Sequence, residues 1–269
     1  MMSPCFDPAS LWAVLRVQDE FFAVPCEQVQ SIIALTNVTP IPHLKKYMRG
    51  VIYHQGQVVH VLEMRNRLGL KSLSAEVSDF IDLMEAREQD HVYWIDTLSE
   101  CVQERKKFPL TTDPHRCKFG EWYEHFLPKT DDSLLKSLLN QFEEPHRKVH
   151  EVAIQVEQLQ HEGHYIEALE LIQERKDHEL RTMRNLFDNV KQTYRKNNRE
   201  IAIVLQFSNR QVALVIDEVV AIETLLWNNW RTIDEATGGQ VRADYMLGLA
   251  EIPEKELPVV VLDVPKCFA

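Results

Sequence analysis

Residues 201–216 have the sequence IAIVLQFSNRQVALVI, in which two apolar runs flank a polar Ser-Asn centre. Runs of β-branched and aliphatic residues around such a turn signal predict a β-hairpin. The same pattern occurs near the N-terminus, where apolar runs at 11–17 and 21–24 are joined by a polar turn. Runs at 50–53 and 58–62 flank a His-Gln-Gly-Gln piece that is typical of another tight hairpin. Strand signals are therefore found on both sides of the chain's middle.

The middle of the chain has a different period. From about residue 76 to 195, apolar residues recur at steps of three and four, the spacing of amphipathic helices. We expect four helices packed as a bundle, because that arrangement buries their apolar faces. The apolar positions form three series: Phe80, Leu83, Met84, Trp94, Ile95 and Leu98; Val149, Val152, Val156 and Leu159; and Leu169, Ile172, Leu180, Met183, Phe187, Val190 and Tyr194.

The order of strands, helices and strands allows two domain arrangements. Three separate domains are one, but each β segment is short and has few strands. One β domain interrupted by a helical insertion explains both segments better, because the ends of an insertion can meet at a surface loop. This interpretation predicts an α+β fold with the β domain at 8–75 and 196–269 and the insertion at 76–195.

Composition limits the functional classes. The chain has 269 residues, 45% hydrophobic and 26% charged, as in a folded globular protein, and its net charge is −11. That charge argues against a nucleic-acid partner, which requires clustered Lys and Arg. No basic signal region and no apolar stretch of about 20 residues occurs, so we expect a cytoplasmic protein without membrane insertion. The five cysteines lack a framework spacing and favour free thiols or a metal ligand over disulfides.

The histidine pair His146 and His150 is the first candidate for metal binding. On a helix, residues four apart share a face, so both imidazoles can reach one ion. A closed zinc site needs two more nitrogen or sulfur donors. His91, beside the apolar stripe, and Cys117, in an aromatic-rich segment, are candidates within the same stretch. The remaining histidines of the insertion are interpreted as surface or cap residues: His115, His125, His161, His164 and His178.

Three short motifs follow one another in this segment: His91 with Trp94, Cys117 with Gly120 and Trp122, and His146 with His150. In this order they resemble the chemoreceptor zinc-binding family. The resemblance covers most of residues 76–195 and implies a helical bundle with a three-histidine, one-cysteine Zn²⁺ site. Carried onto this sequence, the ligands are His91, Cys117, His146 and His150.

A zinc-bound Cys117 would be a thiolate, the form of cysteine that reacts with oxidants. Oxidation would remove one ligand. Because zinc binding contributes on the order of 10 kcal/mol to the folding of small sites, this loss would loosen the bundle. The sequence therefore favours a zinc or oxidant sensor, and a purely structural zinc is the alternative that it leaves open.

Five stretches of the flanks form an ordered pattern when the flanks are joined across the insertion: Arg49-Gly-Val-Ile52 with Gly56, Leu62-Glu-Met-Arg65, Val215-Ile-Asp217 with Val219, Tyr245-Met-Leu-Gly248, and 258–263. In this order they resemble CheW, the adaptor family that links chemoreceptors to the chemotaxis histidine kinase. The resemblance implies a CheW-like double β-barrel with SH3-like subdomains. It also implies two partners, the cytoplasmic tip of a chemoreceptor and the kinase; a homodimer through the insertion is left open.

One departure from the CheW pattern concerns a residue position implicated in receptor contact. The family usually has Asn-Leu-Arg there, whereas this chain has Tyr53, His54 and Gln55. The missing arginine indicates a diverged or specialised partner. We expect Arg49, His54 and Gln55, as exposed turn residues, to be the partner contacts.

Catalysis is the rival interpretation, since zinc with an open position activates water. A zinc protease of the His-Glu type needs Glu directly after the first histidine, but Arg147 follows His146. The chain also lacks the Gly-x-x-x-x-Gly-Lys, Gly-x-Gly-x-x-Gly and Gly-x-Ser-x-Gly patterns of nucleotide and ester chemistry. We therefore expect an adaptor rather than an enzyme; a zinc-dependent hydrolase is the least favoured alternative.

Overall fold

The computed structural model describes residues 7, 9–237, 244–253 and 257–268. The chain divides into two compact units, a β unit of Met1–Ala75 with Arg199–Ala269 and a helical unit of Glu76–Asn198. The described cysteines Cys26, Cys101, Cys117 and Cys267 are free thiols, while Cys5 lies outside the described residues.

The described elements of the chain are numbered in chain order. The strands are β1 (Trp12–Val17), β2 (Glu20–Pro25), β3 (Val29–Ala34), β4 (Met48–His54), β5 (Gln57–Glu63), β6 (Ile201–Phe207), β7 (Arg210–Ile216), β8 (Glu218–Glu223), β9 (Leu226–Thr232), β10 (Met246–Ile252) and β11 (Leu257–Leu262). The helices are α1 (Met64–Arg67), α2 (Leu73–Gln103), α3 (Lys118–Phe126), α4 (Ser133–Asn140), α5 (Glu143–Glu162), α6 (Tyr165–Arg175), α7 (Arg181–Asn197), α8 (Ile233–Thr237) and α9 (Val264–Cys267).

Each sheet of the β unit combines strands from both sides of the insertion. One sheet has the order β8-β1-β2-β11-β10-β9, and the other has the order β3-β6-β7-β5-β4. Strands β1 to β5 precede the helical unit and β6 to β11 follow it, so neither flank completes a sheet alone. The fold class is therefore confirmed as α+β, with two β-sheet subdomains interrupted by a helical insertion.

The three predicted hairpins are confirmed as the antiparallel pairs β1–β2, β4–β5 and β6–β7. The turn between β4 and β5 consists of Gln55 and Gly56, both with positive φ, +47° and +81°. Two consecutive positive φ values are the signature of a two-residue turn whose twist matches that of the flanking strands. The Ser31 hydroxyl and His54 Nε2 lie 3.1 Å apart, linking β3 to β4 across opposite edges of a curled sheet.

Burial along the strands follows their position in the sheet. Residues 202–205 of β6 and 212–216 of β7 are buried without interruption, because these central strands are covered on both faces. The edge strand β3 instead alternates between half-buried and exposed residues. The continuous apolar runs that predicted the hairpin are therefore the centre of one sheet.

The helical unit buries all three predicted apolar series in one core. Helix α2 supplies the first series and α5 the second, while the third runs along α6 and α7. A π-helical turn at 176–180 joins α6 and α7 into one continuous helix. The four-helix prediction missed the short helices α3 and α4, whose eight or nine residues are too few for a clear period. Helix α7 continues to Asn197, two residues beyond the predicted end. No described helix is both long and apolar enough to span a membrane.

Candidate metal centre

The four predicted ligand residues lie together inside the helical unit. Three helices supply them: α2 carries His91, Cys117 is the residue that precedes α3, and α5 carries His146 and His150. One donor atom from each residue lies within 4.8 Å of the other three donors. The structure thus brings together side chains that are up to 59 residues apart in sequence.

The spacing of the donors is close to that of a tetrahedral zinc site. Cys117 Sγ lies 3.2 Å from His146 Nε2 and 3.9 Å from His91 Nε2. Zinc–sulfur and zinc–nitrogen bond lengths imply donor separations of roughly 3.3–3.6 Å in a tetrahedron. The longest separation therefore needs side-chain adjustments of about 1 Å to close around one ion. The set of three imidazoles and one thiol fits zinc, which prefers nitrogen and sulfur ligands.

The backbone fixes the orientation and tautomer of His91. Its Nδ1 lies 2.7 Å from the carbonyl oxygen of Arg87, one turn earlier on α2. A carbonyl oxygen can only accept a hydrogen bond, so Nδ1 carries the proton and is the donor. Nε2 is left unprotonated, with its lone pair directed toward Cys117. Second-shell bonds of this kind orient histidine ligands in metal sites.

His150 provides an independent indication that the cluster binds an ion. Its side chain is 0% exposed, and neither ring nitrogen has a hydrogen-bond partner among the described residues. A buried polar atom without a partner costs roughly 1–3 kcal/mol. A metal ion bound to one nitrogen removes part of that cost. The orphaned imidazole is therefore explained by coordination and not by apolar packing.

All three histidines are kept neutral, which is the form that binds metals. Burial lowers the pKa of His146 to about 2, with a smaller effect from the neighbouring His91 and His150. Burial likewise lowers the pKa of His150 to about 4, and it lowers the pKa of His91 despite the bond to Arg87. The ring lone pairs are consequently available at neutral pH without a proton having to leave.

Cys117 caps helix α3, and the backbone around it is tightly packed. Its Sγ accepts a hydrogen bond from the Gly120 amide at 3.2 Å. Burial raises the pKa of the thiol, while the amides of Gly120 and Phe119 oppose that shift by stabilising the thiolate. A Cβ at position 120 would lie 2.0 Å from the carbonyl oxygen of Pro114. The Cys-x-x-Gly spacing thus places a required glycine against the turn that precedes the ligand.

Aromatic rings enclose the four donors. The Trp94 ring lies 4.8 Å from His150, and Phe119 lies 5.7 Å from His91 and 5.1 Å from His146. Phe187 of α7 contacts His91 at 6.3 Å. The sequence motif indicated Trp94, but nothing in the local sequence indicated Phe187, which reaches the site from 96 residues away. Apolar walls restrict water and strengthen the attraction between a cation and its ligands.

The other histidines of the insertion do not belong to this cluster. His115, His125, His161, His164 and His178 are all exposed, as expected of surface histidines.

The structure changes two expectations about partner contacts in the β unit. Gln55 lies exposed in the β4–β5 turn as expected, but His54 is the last residue of β4 and is half-buried beside Ser31. The expectation that Arg49 is an exposed turn residue is also wrong. Its side chain, 25% exposed, lies in β4 and pairs with Glu63 at 3.1 Å and Glu200 at 2.7 Å. One buried carboxylate, that of Glu63, and one half-buried carboxylate, that of Glu200, hold the arginine in the strand.

Comparisons with known proteins match both units. The CheW-like domain family matches residues 12–107 and 179–269, and the chemoreceptor zinc-binding domain family matches residues 91–157. The second match spans all four clustered donors, and the zinc cofactor is thereby confirmed. The first match extends into both ends of the helical unit, because it includes the whole of α2 and of α7.

Individual relatives agree with these family matches. The chain is 31% identical over 87 residues to the chemotaxis protein CheW of Rhizobium meliloti strain 1021 and 29% identical over 87 residues to a probable chemotaxis protein CheW of Rhizobium etli. Each match covers 32% of this chain and 56% of the relative, so the chain spans little more than half the length of the curated relatives that it matches.

The solved structure of the scaffolding protein TtCheW from Thermoanaerobacter tengcongensis is similar to this chain, with 9% sequence identity and a TM-score of 0.42. The similarity covers 94% of this chain and 88% of the TtCheW chain. The CheW-like match itself accounts for well over half of the residues, on both sides of the helical unit. The chain belongs to the CheW-like domain family and carries a chemoreceptor zinc-binding domain within it.

Proposed function

We propose that this chain is a chemotaxis signalling adaptor that couples the cytoplasmic tips of chemoreceptors to a histidine kinase. In this proposal, zinc bound by His91, Cys117, His146 and His150 is an input to the adaptor. The observation that carries it is the buried cluster of four donors within a segment that interrupts a CheW-like domain. The proposed boundaries are 8–75 and 196–269 for the adaptor and 76–195 for the zinc module.

Zinc in this site supplies Lewis acidity when it is bound, but the ligand set argues for a non-catalytic role. Catalytic zinc sites commonly have three protein ligands and keep the fourth position for water or substrate. Three imidazoles and a thiolate fill a tetrahedron and leave no position for water. A peroxide that transfers one oxygen atom to the Cys117 thiolate, and is itself reduced to water with uptake of a proton, would convert this ligand to a sulfenic acid and weaken its bond to zinc. Cys117 is therefore the proposed point of oxidant sensing.

The tip of the β4–β5 hairpin is the proposed partner surface. Tyr53 and Val58 face each other across the two strands and are 77% and 64% exposed. Exposed apolar side chains beside a polar turn are typical of a contact surface. Gln55 replaces the arginine of the family at this tip. The part of the proposed receptor that contacts Gln55 therefore differs in charge from the corresponding part of the usual receptor.

The ligand assignment is tested by metal content. We expect about one zinc per chain in the wild-type protein and a large loss in Cys117→Ser. The matched control is Cys101→Ser, which removes another thiol of the helical unit that does not belong to the cluster. Equal zinc content in all three proteins would refute the role of Cys117 as a ligand.

The sensory role is tested separately by kinase activity in a reconstituted receptor–adaptor–kinase mixture at varied free zinc. A sensor predicts activity that follows zinc occupancy in the wild type and loses that dependence in Cys117→Ser. The rival function, an adaptor with a structural zinc, predicts activity that is independent of zinc until the helical unit unfolds. Circular dichroism on the same samples separates these two outcomes.

A further inference from the structure

A second cavity of the helical unit lies beyond the aromatic wall of the metal centre. Its volume is about 670 Å³, within the range of small-molecule sites. One wall is the loop that follows α2, with Arg105, Lys106 and Lys107. The other wall joins the end of α5 to the start of α6 and includes His161 and Tyr165.

The charge of this cavity is opposite to that of the unit that contains it. Between residues 76 and 195 the chain has 25 acidic and 16 basic residues, a net charge of −9. Residues 105–107 are nevertheless the one run of three consecutive cations in the sequence. Among the residues that the structure describes, Glu157 is the only acidic one that lines the cavity. A local excess of positive charge in an acidic unit favours an anionic ligand.

The three cations are held in different ways. The Arg105 guanidinium lies over the Tyr165 ring at 4.7 Å, and Lys106 pairs with Glu104 at 2.7 Å. The Lys107 ammonium has no hydrogen-bond or ion-pair partner among the residues that the structure describes. Arg105 also has a φ of +57°, an uncommon conformation for a residue other than glycine. The loop thus bends so that one cation is stacked on a ring and another is left available.

The remaining lining is apolar. Leu98, Phe108, Leu110 and Ala153 line the cavity beside the cations. Apolar walls with a few convergent charged groups are the usual construction of a ligand site, in which the walls supply affinity and the charges fix orientation. The matching ligand has an apolar body and one anionic group.

We infer that this cavity binds a small amphipathic organic anion, a phosphate or carboxylate on an apolar body, with Lys107 as the principal contact. Binding there is coupled to the metal centre through Trp94. The Trp94 ring packs 4.9 Å from Phe108 of the cavity and 4.8 Å from His150. Its Nε1 donates to the Thr111 carbonyl at 2.8 Å, which fixes the same loop. The coupling between anion binding and the metal centre rests on the proposed zinc ligands. The anion site itself does not depend on them.

Calorimetric titration of the full zinc-loaded chain at constant ionic strength tests the site with three probes: phenyl phosphate, benzoate and the neutral phenol. At least one of the two anions is expected to bind about tenfold more tightly than phenol, since a charge-assisted contact contributes at that level. The two anions together distinguish phosphate from carboxylate. Absence of binding by both anions, or equal binding by phenol, overturns the inference.

Variants localise the binding. Lys107→Ala is expected to weaken binding of the preferred anion about tenfold, and Glu157→Gln to strengthen it. The control is Lys136→Ala, which removes an exposed lysine of the same unit that does not line the cavity. Equal weakening in Lys107→Ala and Lys136→Ala indicates non-specific attraction and overturns the site.

The coupling has its own readout, the rate of zinc transfer to a chromophoric chelator. The bound anion is expected to change this rate at least about twofold in the wild type and to leave it unchanged in Lys107→Ala. An anion that binds without changing the rate overturns the coupling. A failure of the proposed adaptor function would be seen in the kinase assay and would not change the calorimetric titration of the anion.

Discussion

The buried carboxyl group of Glu63 makes the stability of the β unit depend on pH. Glu63 ends β5, and its side chain is 1% exposed. Burial raises its pKa to about 7, and the guanidinium of Arg49, 3.1 Å away, offsets this effect only in part. Arg49 also pairs with Glu200 at 2.7 Å. One cation therefore faces two carboxylates, and a proton on Glu63 removes the surplus negative charge.

The magnitude follows from the difference between the folded and unfolded states. Glutamate in an unfolded chain has a pKa of about 4.3, so the folded state binds this proton more tightly. The resulting stabilisation is complete below the unfolded pKa and is lost as the pH rises through about 7. The thermodynamic linkage between proton binding and folding then predicts that the free energy of unfolding of the β unit falls by about 2.5 kcal/mol between about pH 5 and pH 8.

Glu63→Gln removes the titrating group while keeping the shape of the side chain. We expect the variant to lose the pH dependence over this range and to be the more stable protein at pH 8. Hydrogen exchange of residues 57–63, corrected for intrinsic rates, reports the opening free energy of this unit alone. Glu27→Gln, in an exposed position of the same unit, is the control. Parallel pH profiles for the wild type and Glu63→Gln would refute the reasoning.

Three further predictions concern packing and metal. Gly120→Ala is expected to weaken zinc binding about tenfold in a chelator competition, because its Cβ clashes with the Pro114 carbonyl; unchanged affinity would contradict this role. Arg65→Ala removes the buried guanidinium that pairs at 2.8 Å with the half-buried carboxylate of Asp217 and is expected to cost about 3–5 kcal/mol in urea unfolding. Arg16→Ala, at an exposed ion pair, is expected to cost less than about 1 kcal/mol. Zinc removal by a chelator is expected to lower the melting temperature of the helical unit, measured by circular dichroism, while hydrogen exchange of β10 and β11, which are remote in sequence from both junctions, stays unchanged.

The parts of the fold that could be predicted are those that local sequence determines. Hairpins are visible as paired apolar runs around a short turn, and the β4–β5 turn was marked by Gly56, which supplies a positive φ at low cost. The histidine pair of α5 was visible because a spacing of four places both side chains on one face of a helix. In each case the contact lies within a few residues of the signal.

The parts that could not be predicted depend on contacts between distant segments. Arg49 was expected in an exposed turn, yet it lies between Glu63 and Glu200, a residue 151 positions away. Neither its spacing nor its neighbours indicate that two carboxylates approach it. The contact of Phe187 with His91 is similar, since the apolar pattern predicts that both face the core but not which ring touches which ligand.

The junctions of the insertion limit how a zinc signal can reach the proposed partner surface. The chain crosses between the β unit and the helical unit at 75–76 and 198–199. At these crossings the Ser74 amide donates to one carboxylate oxygen of Glu200 at 3.2 Å, and the other oxygen pairs with Arg49. Arg49 lies on β4, the strand that leads into the turn at Gln55. One carboxylate thus links both ends of the insertion to the partner hairpin, and this contact offers a route by which a change at the junctions could reach Gln55.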